Sequence, residues 1–383
     1  MIARRALAAV LAGALGTTAV AQTATPLVAY GPQTAEERGL WMEMEEAERT
    51  LTTSDFVVRD PALNAYVNSV LCRTVGADRC GAARIYLVRT PYFNASMAPN
   101  GMMQVWTGLL LRARNEAQLA AVLGHEFAHF EQRHSLKGFR DARAKTDAMA
   151  WLSFLPYVGL AAQVGMMGGI FANSRDMERE ADTIGLSWMA KAGYAPGEFA
   201  AVWSQLRDEQ DATAAERKRK SRKDRNGGFF ATHPNSAERV AYLTADAAKL
   251  ATPEMDARAA EYRAALAPWW TQLIDDQIKL NDFGATDFLL MRLAEGGWTP
   301  ELLYARGELY RSRNAGGDME KAADAYRSAI AAGSTLPEAR RGLGLALLRS
   351  GDDLNGRAAL AEYLKLKPDA GDRAMIAMLA GES

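Results

Sequence analysis

The sequence predicts a mainly α-helical chain: a helical catalytic domain with a small β-sheet over residues 22–262, then an α-helical repeat domain over residues 263–383. Three observations point there. His125-Glu126-Phe127-Ala128-His129 stands inside a run with helical periodicity, two short β-prone runs precede it, and beyond about residue 262 glycine and proline punctuate a series of helix pairs. A length of 383 residues accommodates two or three domains.

Asn115 followed three residues later by Gln118 reads as a cap, and Leu119, Val122, Leu123, Phe127 and Phe130 recur at i, i+3 and i+4 intervals. Residues four apart lie about 40° apart around a helix, so His125 and His129 can aim two imidazole nitrogens at one metal ion. Glu126 lies about 100° further round, poorly placed as a ligand but able to take a proton from a water on that metal. The chain has four histidines and two of them stand here, which disfavours a chance match. Gln132 and Ser135 occupy the positions where a metzincin carries its glycine and third histidine, so that solution is excluded. His134, about 140° round from His129, suits capping or packing better than ligation.

The third ligand is therefore expected from another helix. In residues 174–182, Glu178 and Asp182 are four apart and share a face, so one can bind the metal while the other orients a histidine ring. Spacing alone leaves Glu178, Glu180 and Asp182 open. Two histidines and one carboxylate leave a coordination position free, the mark of a catalytic zinc, although other divalent ions accept such ligands.

With these residues in hand, the sequence resembles the gluzincin peptidases of the group that includes the periplasmic protease BepA, the HtpX proteases and the CAAX prenyl endopeptidases. Its closest likeness is to BepA-like proteases with a C-terminal tetratricopeptide repeat domain. The matching motifs run in order: Asn94-Ala95 with Pro99-Asn100-Gly101, His125-Glu126-x-x-His129, Ser174-Arg175-x-x-Glu178-x-x-Ala181-Asp182, and Thr232-His233-Pro234. The resemblance implies a zincin-like fold, one zinc held by His125, His129 and Glu178, Glu126 as general base, and Asp182 as the carboxylate behind a ligand.

Before the metal helix, Met1-Ile2-Ala3-Arg4-Arg5, an apolar run and Ala19-Val20-Ala21 have the three parts of a secretory signal over residues 1–21, with cleavage before Gln22 and a periplasmic destination. Cys72 and Cys80, an even and closely spaced pair, suit one disulfide in that compartment. With 45 basic and 46 acidic residues the net charge is −1, so no global bias toward nucleic acid exists. Helical segments are expected near residues 40–51 and 62–71, and strands at Ile85-Tyr86-Leu87-Val88 and Met102-Met103-Gln104-Val105-Trp106. The edge around residues 94–97, with Asn94 and Ala95, reads equally as a strand that pairs with substrate backbone or as a hairpin packed on the helix, and the family resemblance implies the substrate edge.

Residues 148–174 carry no charge and are long enough to span a bilayer, but one crossing would separate His125 and His129 from Glu178. They are read as a buried or lid-like helical segment over the cleft, with shallow membrane contact or a helical hairpin as the alternatives. Residues 217–225, RKRKSRKDR, read as a solvated loop, with contact to anionic lipid headgroups or an acidic client as the functional option. His233 follows that loop; brought to the cleft, it would occupy the open zinc position and hold the enzyme latent, or steady the transition state. Arg239 is expected to order an acidic partner near the metal, with a surface salt bridge as the plain alternative.

Beyond residue 262, Pro300, Pro337 and Pro368 recur at spacings of 37 and 31 residues, near the 34 of a tetratricopeptide repeat. Such repeats stack into a curved surface that binds protein segments. The combined reading is an exported zinc endopeptidase acting on unfolded or misassembled envelope proteins, with the repeat domain meeting clients or outer-membrane assembly machinery. Two alternatives stand beside it: an assembly chaperone or adaptor with a latent protease site, and a processing enzyme for lipidated peptides.

Overall fold

A computed structural model describes residues 31–145, 174–221, 223, 233 and 236–382. The signal-like residues 1–21, most of the uncharged run 148–174, part of the basic run 217–225, and Thr232 and Pro234 of the motif around His233 lie outside the described residues. Among the described residues, no helix is long and apolar enough to cross a membrane.

Two helices open the described chain, α1 (Ala35–Thr52) and α2 (Pro61–Val75), covering both segments expected from periodicity. Thr34 caps α1 and Asp60 caps α2, each accepting a backbone N–H from the first turn. Cys72 of α2 is joined to Cys80 in a disulfide, fixing a 3-10 turn, Cys80–Ala82, against the helix.

A three-stranded sheet follows, with β1 (Arg84–Val88), β2 (Ala95–Met97) and β3 (Met102–Trp106) in the order β1-β3-β2. β1 pairs parallel to β3, with Arg84 opposite Met102, and β2 pairs antiparallel to it, with Ala95 opposite Val105. β2 therefore forms an edge. Backbone bonds from Trp106 N–H to Asn94 O and from Ala98 N–H to Met102 O set the alternation, which turns the N–H and C=O groups of Ala95 and Met97 away from β3. α1 is pinned to this sheet through Glu48, which accepts from Arg84 (2.6 Å), the Tyr86 hydroxyl (2.8 Å) and Asn100 (2.8 Å).

After α3 (Thr107–Arg112), α4 (Glu116–Glu131) runs through the centre of the catalytic region, with every side chain from Glu116 to Phe130 buried. α5 (His134–Lys145) continues from it, and α6 (Arg175–Lys191), α7 (Gly197–Glu216), α8 (Ala237–Leu250) and α9 (Ala259–Leu266) complete the surround. One core unites Leu71, Val105, Leu123, Phe127, Met189, Trp203, Leu243 and Tyr262.

The C-terminal region comprises α10 (Trp270–Ile278), α11 (Phe283–Leu293), α12 (Pro300–Arg313), α13 (Asp318–Ala331), α14 (Pro337–Ser350), α15 (Asp353–Leu366) and α16 (Arg373–Ala380). Neighbours in sequence pack on one another from α12 to α16. Glycines permit the closest approaches: a Cβ at Gly307 or Gly342 would lie 2.5 or 2.4 Å from the Tyr326 ring, so that ring is gripped between α12 and α14. The division drawn at residue 262 falls inside α9, because Tyr262 and Leu266 are fully buried in the catalytic core and the Tyr262 hydroxyl donates to Leu110 O at 2.6 Å.

Across that junction the contact is built rather than incidental. Arg112, 5% exposed, donates to Glu209 of α7 (2.7 Å), to Gln277 of α10 (3.0 Å), and to the carbonyls of Pro91 and Gly108. Arg89 makes a two-pronged pair with Asp276 at 2.7 and 2.9 Å.

Candidate metal centre

Asn115 caps α4 as expected: its side chain accepts from Gln118 N–H at 2.9 Å, while the Gln118 side chain accepts from Arg114 N–H at 2.9 Å. On the next two turns His125 and His129 stack on one face. α6 crosses α4 at this level because Gly185 faces it, where an added Cβ would sit 3.1 Å from His125 N. Ser174 caps α6 through Met177 N–H, which starts that helix one turn before Glu178.

The result is a convergence of His125, His129, Glu178 and His233, all buried, each offering a ligating atom within 4.8 Å of the others. The two Nε2 atoms of His125 and His129 lie 3.0 Å apart, with Glu178 carboxylate oxygens 3.5 and 3.3 Å from them. His233 Nδ1 lies 3.2 Å from His125 Nε2 and 3.1 Å from Glu178 Oε1. Three imidazoles and a carboxylate around one point fit zinc.

The opposite ring nitrogens are already committed, which fixes both tautomers. His125 Nδ1–H donates to Asp182 Oδ1 at 2.9 Å. His129 Nδ1 meets His134 Nδ1 at 2.9 Å, and His134 Nε2 meets Glu180 Oε2 at 3.1 Å. With Nε2 of His129 turned to the centre, its Nδ1–H donates to His134, whose own N–H passes to Glu180. Of the three acidic residues that spacing left open, Glu178 faces the ring nitrogens, Asp182 stands behind His125, and Glu180 stands behind His134.

Arg239, 2% exposed, donates to both Asp182 oxygens (2.7 and 2.8 Å), lies 3.2 Å from Glu178, and stacks on the Trp203 ring at 3.9 Å. It is held in the interior, not in a surface salt bridge. The Tyr242 hydroxyl also donates to Asp182. Burial would raise the Asp182 carboxyl, but Arg239 and His125 bring it down to about 2. Burial opposes charge on His125 too, yet the Asp182 and Glu178 carboxylates raise it to about 9, a measure of the negative potential that a bound cation would meet. Glu126, 3% exposed, is pushed up by burial; its Oε1 has no hydrogen-bond partner among the described residues and lies 3.5 Å from His233 Nε2.

Asn94 and Ala95 sit at the start of β2, which packs on α4. Sequence reasoning missed Tyr242 and Trp203 entirely and gave His134 a capping or packing role. The His134–Glu180 link had a faint signal in the fifth residue past His129.

Residues 58–247 match the family model Peptidase family M48. The chain is 26% identical over 209 residues to the beta-barrel assembly-enhancing protease of Escherichia coli, covering 50% of this chain and 43% of that one. It is 32% identical over 184 residues to the mitochondrial metalloendopeptidase OMA1 of Schizosaccharomyces pombe, covering 46% and 50%, and 33% identical over 163 residues to OMA1 of Arabidopsis thaliana, covering 42% and 30%. The chain thus spans at most about half the length of these relatives. The ordered ligands on α4 and α6 thus lie within the segment, residues 58–247, that matches peptidase family M48.

Proposed function

We propose that this protein is an exported zinc endopeptidase that cleaves misfolded or misassembled envelope proteins, outer-membrane proteins among them. The observation that carries the reading is the buried convergence of His125, His129 and Glu178 beside the buried Glu126 carboxylate, whose Oε1 has no hydrogen-bond partner among the described residues. Zinc, when bound there, supplies Lewis-acid activation of water and of the scissile carbonyl. Glu126, with its pKa raised by burial, takes the proton from the attacking water and passes it to the leaving amine. Asp182 and His134 hold the ligand rings in register, and Arg239 compensates the carboxylates behind them. The outward backbone groups of Ala95 and Met97 receive the substrate strand, recognising main chain rather than a particular sequence.

His233 gives the reading its regulation. Its Nδ1 lies in the ligand cluster and its Nε2 lies 3.5 Å from Glu126, where an attacking water would need to stand. In this arrangement His233 keeps the site latent, and its withdrawal opens it. The same observation favours the second reading, a chaperone or adaptor acting through the C-terminal helices as a tetratricopeptide-like surface, with proteolysis held in reserve. The signal-like residues 1–21 and the beta-barrel assembly-enhancing relatives support a periplasmic location; residues 148–174 and 217–225 supply the candidate membrane contacts.

Cleavage of unfolded casein by the full chain, run beside Glu126→Gln with zinc measured on both, is the test. Cleavage by the wild type alone, with about one zinc in each, is expected. Equal cleavage by Glu126→Gln would overturn the assignment of the base, and absence of zinc from both would overturn the metal centre.

A further inference from the structure

α5 leaves the metal helix after a single turn, and a carboxylate on α1 holds it there. Glu37, 4% exposed, accepts through Oε2 from Gln33 N–H at 2.6 Å and from Arg133 Nη2 at 2.7 Å, and through Oε1 from Arg140 Nη2 at 2.5 Å. We propose that Glu37 is a positioning residue of the metal centre: its grip on Arg133 sets where His134 stands, and through His134 it sets the ring of His129. Resting on the zinc peptidase reading, this extends the support of the centre to a helix that supplies no ligand.

The link is short. Arg133 is the peptide neighbour of His134, and His134 Nδ1 lies 2.9 Å from His129 Nδ1, on the ring whose Nε2 faces the ligand cluster. Arg133 also takes φ 54°, a left-handed backbone that side chains enter only at a cost, so the turn that carries His134 needs holding from outside. An apolar contact runs beside the ionic one, because Leu136 of α5 is buried with Leu40 and Met44 of α1.

Helix capping does not account for this arrangement. Glu37 is the third residue of α1 behind the Thr34 cap, where a glutamate commonly closes a capping box. That duty needs one backbone N–H and no burial. Here the carboxylate takes Gln33 N–H and is buried against two guanidiniums from α5. Burial would raise its pKa, but the Gln33 N–H, Arg133 and Arg140 hold it below the usual glutamate range, so it stays ionised and keeps both arginines. Glu48 of the same helix is also buried, yet it bonds to Arg84, Tyr86 and Asn100 and makes the matching control.

The test measures zinc affinity of the full chain against a chelator, beside urea midpoints of the same zinc-loaded proteins. Glu37→Gln keeps the shape of the side chain and removes the charge that holds the arginines. Zinc affinity is expected to fall about 3–10-fold, less than the roughly 10–100-fold that follows loss of a direct partner of a ligand. On a His134→Ala background the same substitution should cost less than about twofold, because the path is already cut. Glu48→Gln should lower the urea midpoint and leave zinc affinity within about twofold. Unchanged affinity in Glu37→Gln, an undiminished loss on the His134→Ala background, or an equal loss in Glu48→Gln would overturn the proposal while leaving the peptidase standing. A wild type that takes up no zinc would remove the metal centre and the proposal with it. If Glu37→Gln does not fold, Arg133→Gly decides: glycine suits φ 54°, so the grip alone is lost and zinc affinity should fall by the same factor. Unchanged affinity in Arg133→Gly would overturn the proposal.

Discussion

Arg239 is the residue whose removal tests the logic of the centre most directly. Its guanidinium closes a fork on Asp182 at 2.7 and 2.8 Å, reaches Glu178 at 3.2 Å, and is itself 2% exposed. Replacing it with alanine leaves Asp182 buried with His125 and Tyr242 as its partners among the described residues and removes the stacking on Trp203. Losing one member of a buried, hydrogen-bonded charge pair costs about 3–5 kcal/mol, because the surviving charge stays in the interior uncompensated. Urea unfolding of zinc-loaded wild type and Arg239→Ala should show a loss of that size. The double variant Arg239→Ala with Asp182→Asn discriminates cause: if uncompensated charge is the problem, removing it should recover a large part of the loss, a coupling of about 1–3 kcal/mol. A single-variant cost below about 1 kcal/mol, or additive losses in the double variant, would refute the reasoning and leave Arg239 as a packing residue.

Three further outcomes follow from the same geometry. His134→Ala removes the acceptor for His129 Nδ1–H, so zinc affinity measured against a chelator should fall about 10–100-fold; unchanged affinity would show that His129 needs no such partner. Gly342→Ala, which by helix propensity should gain up to about 1 kcal/mol, should instead lose about 1–3 kcal/mol because its Cβ meets the Tyr326 ring at 2.4 Å, and a raised Tm would contradict that. Burial, then the Glu308 carboxylate, raises the Asp275 pKa to about 6. A folded value above the unfolded one means that protonation favours the fold and stability falls as pH rises from about 4 through 6, so Asp275→Asn should add roughly 2 kcal/mol at pH 8 and almost nothing near pH 4, and a pH-independent difference in urea midpoints would rule it out.

What the sequence disclosed follows from the range over which each signal acts. The cap at Asn115, the shared face of His125 and His129, and the strands Arg84–Val88 and Met102–Trp106 are local, and local periodicity exposes them. The choice among Glu178, Glu180 and Asp182 is not local. It depends on the rotation of α6 against α4, which the close approach at Gly185 sets, and no spacing along one helix contains that angle. His134 stays outside the ligand cluster, as its angle on α4 implies, but its final place is not local either: the chain leaves that helix at Gln132 and Arg133, the latter with φ 54°, which swings His134 back onto His129.

The packing on either side of residue 262 is non-local for a related reason. Composition changes after residue 262, yet burial does not: Tyr262 and Leu266 complete the catalytic core, and Leu111 of α3 joins the cluster of Leu273, Ile274 and Leu289 on the far side. A boundary drawn from texture separates chain styles, whereas packing separates cores, and here the two cores share α3. The bonds of Arg112 and Arg89 act in the same place, since Arg112 holds the Pro91 carbonyl and Arg89 ties the start of that loop to α10. The loop leads through Phe93 directly into β2. The first of the C-terminal helices is therefore fastened to the approach of the edge strand that flanks α4, and the geometry of that edge is a property of both regions together.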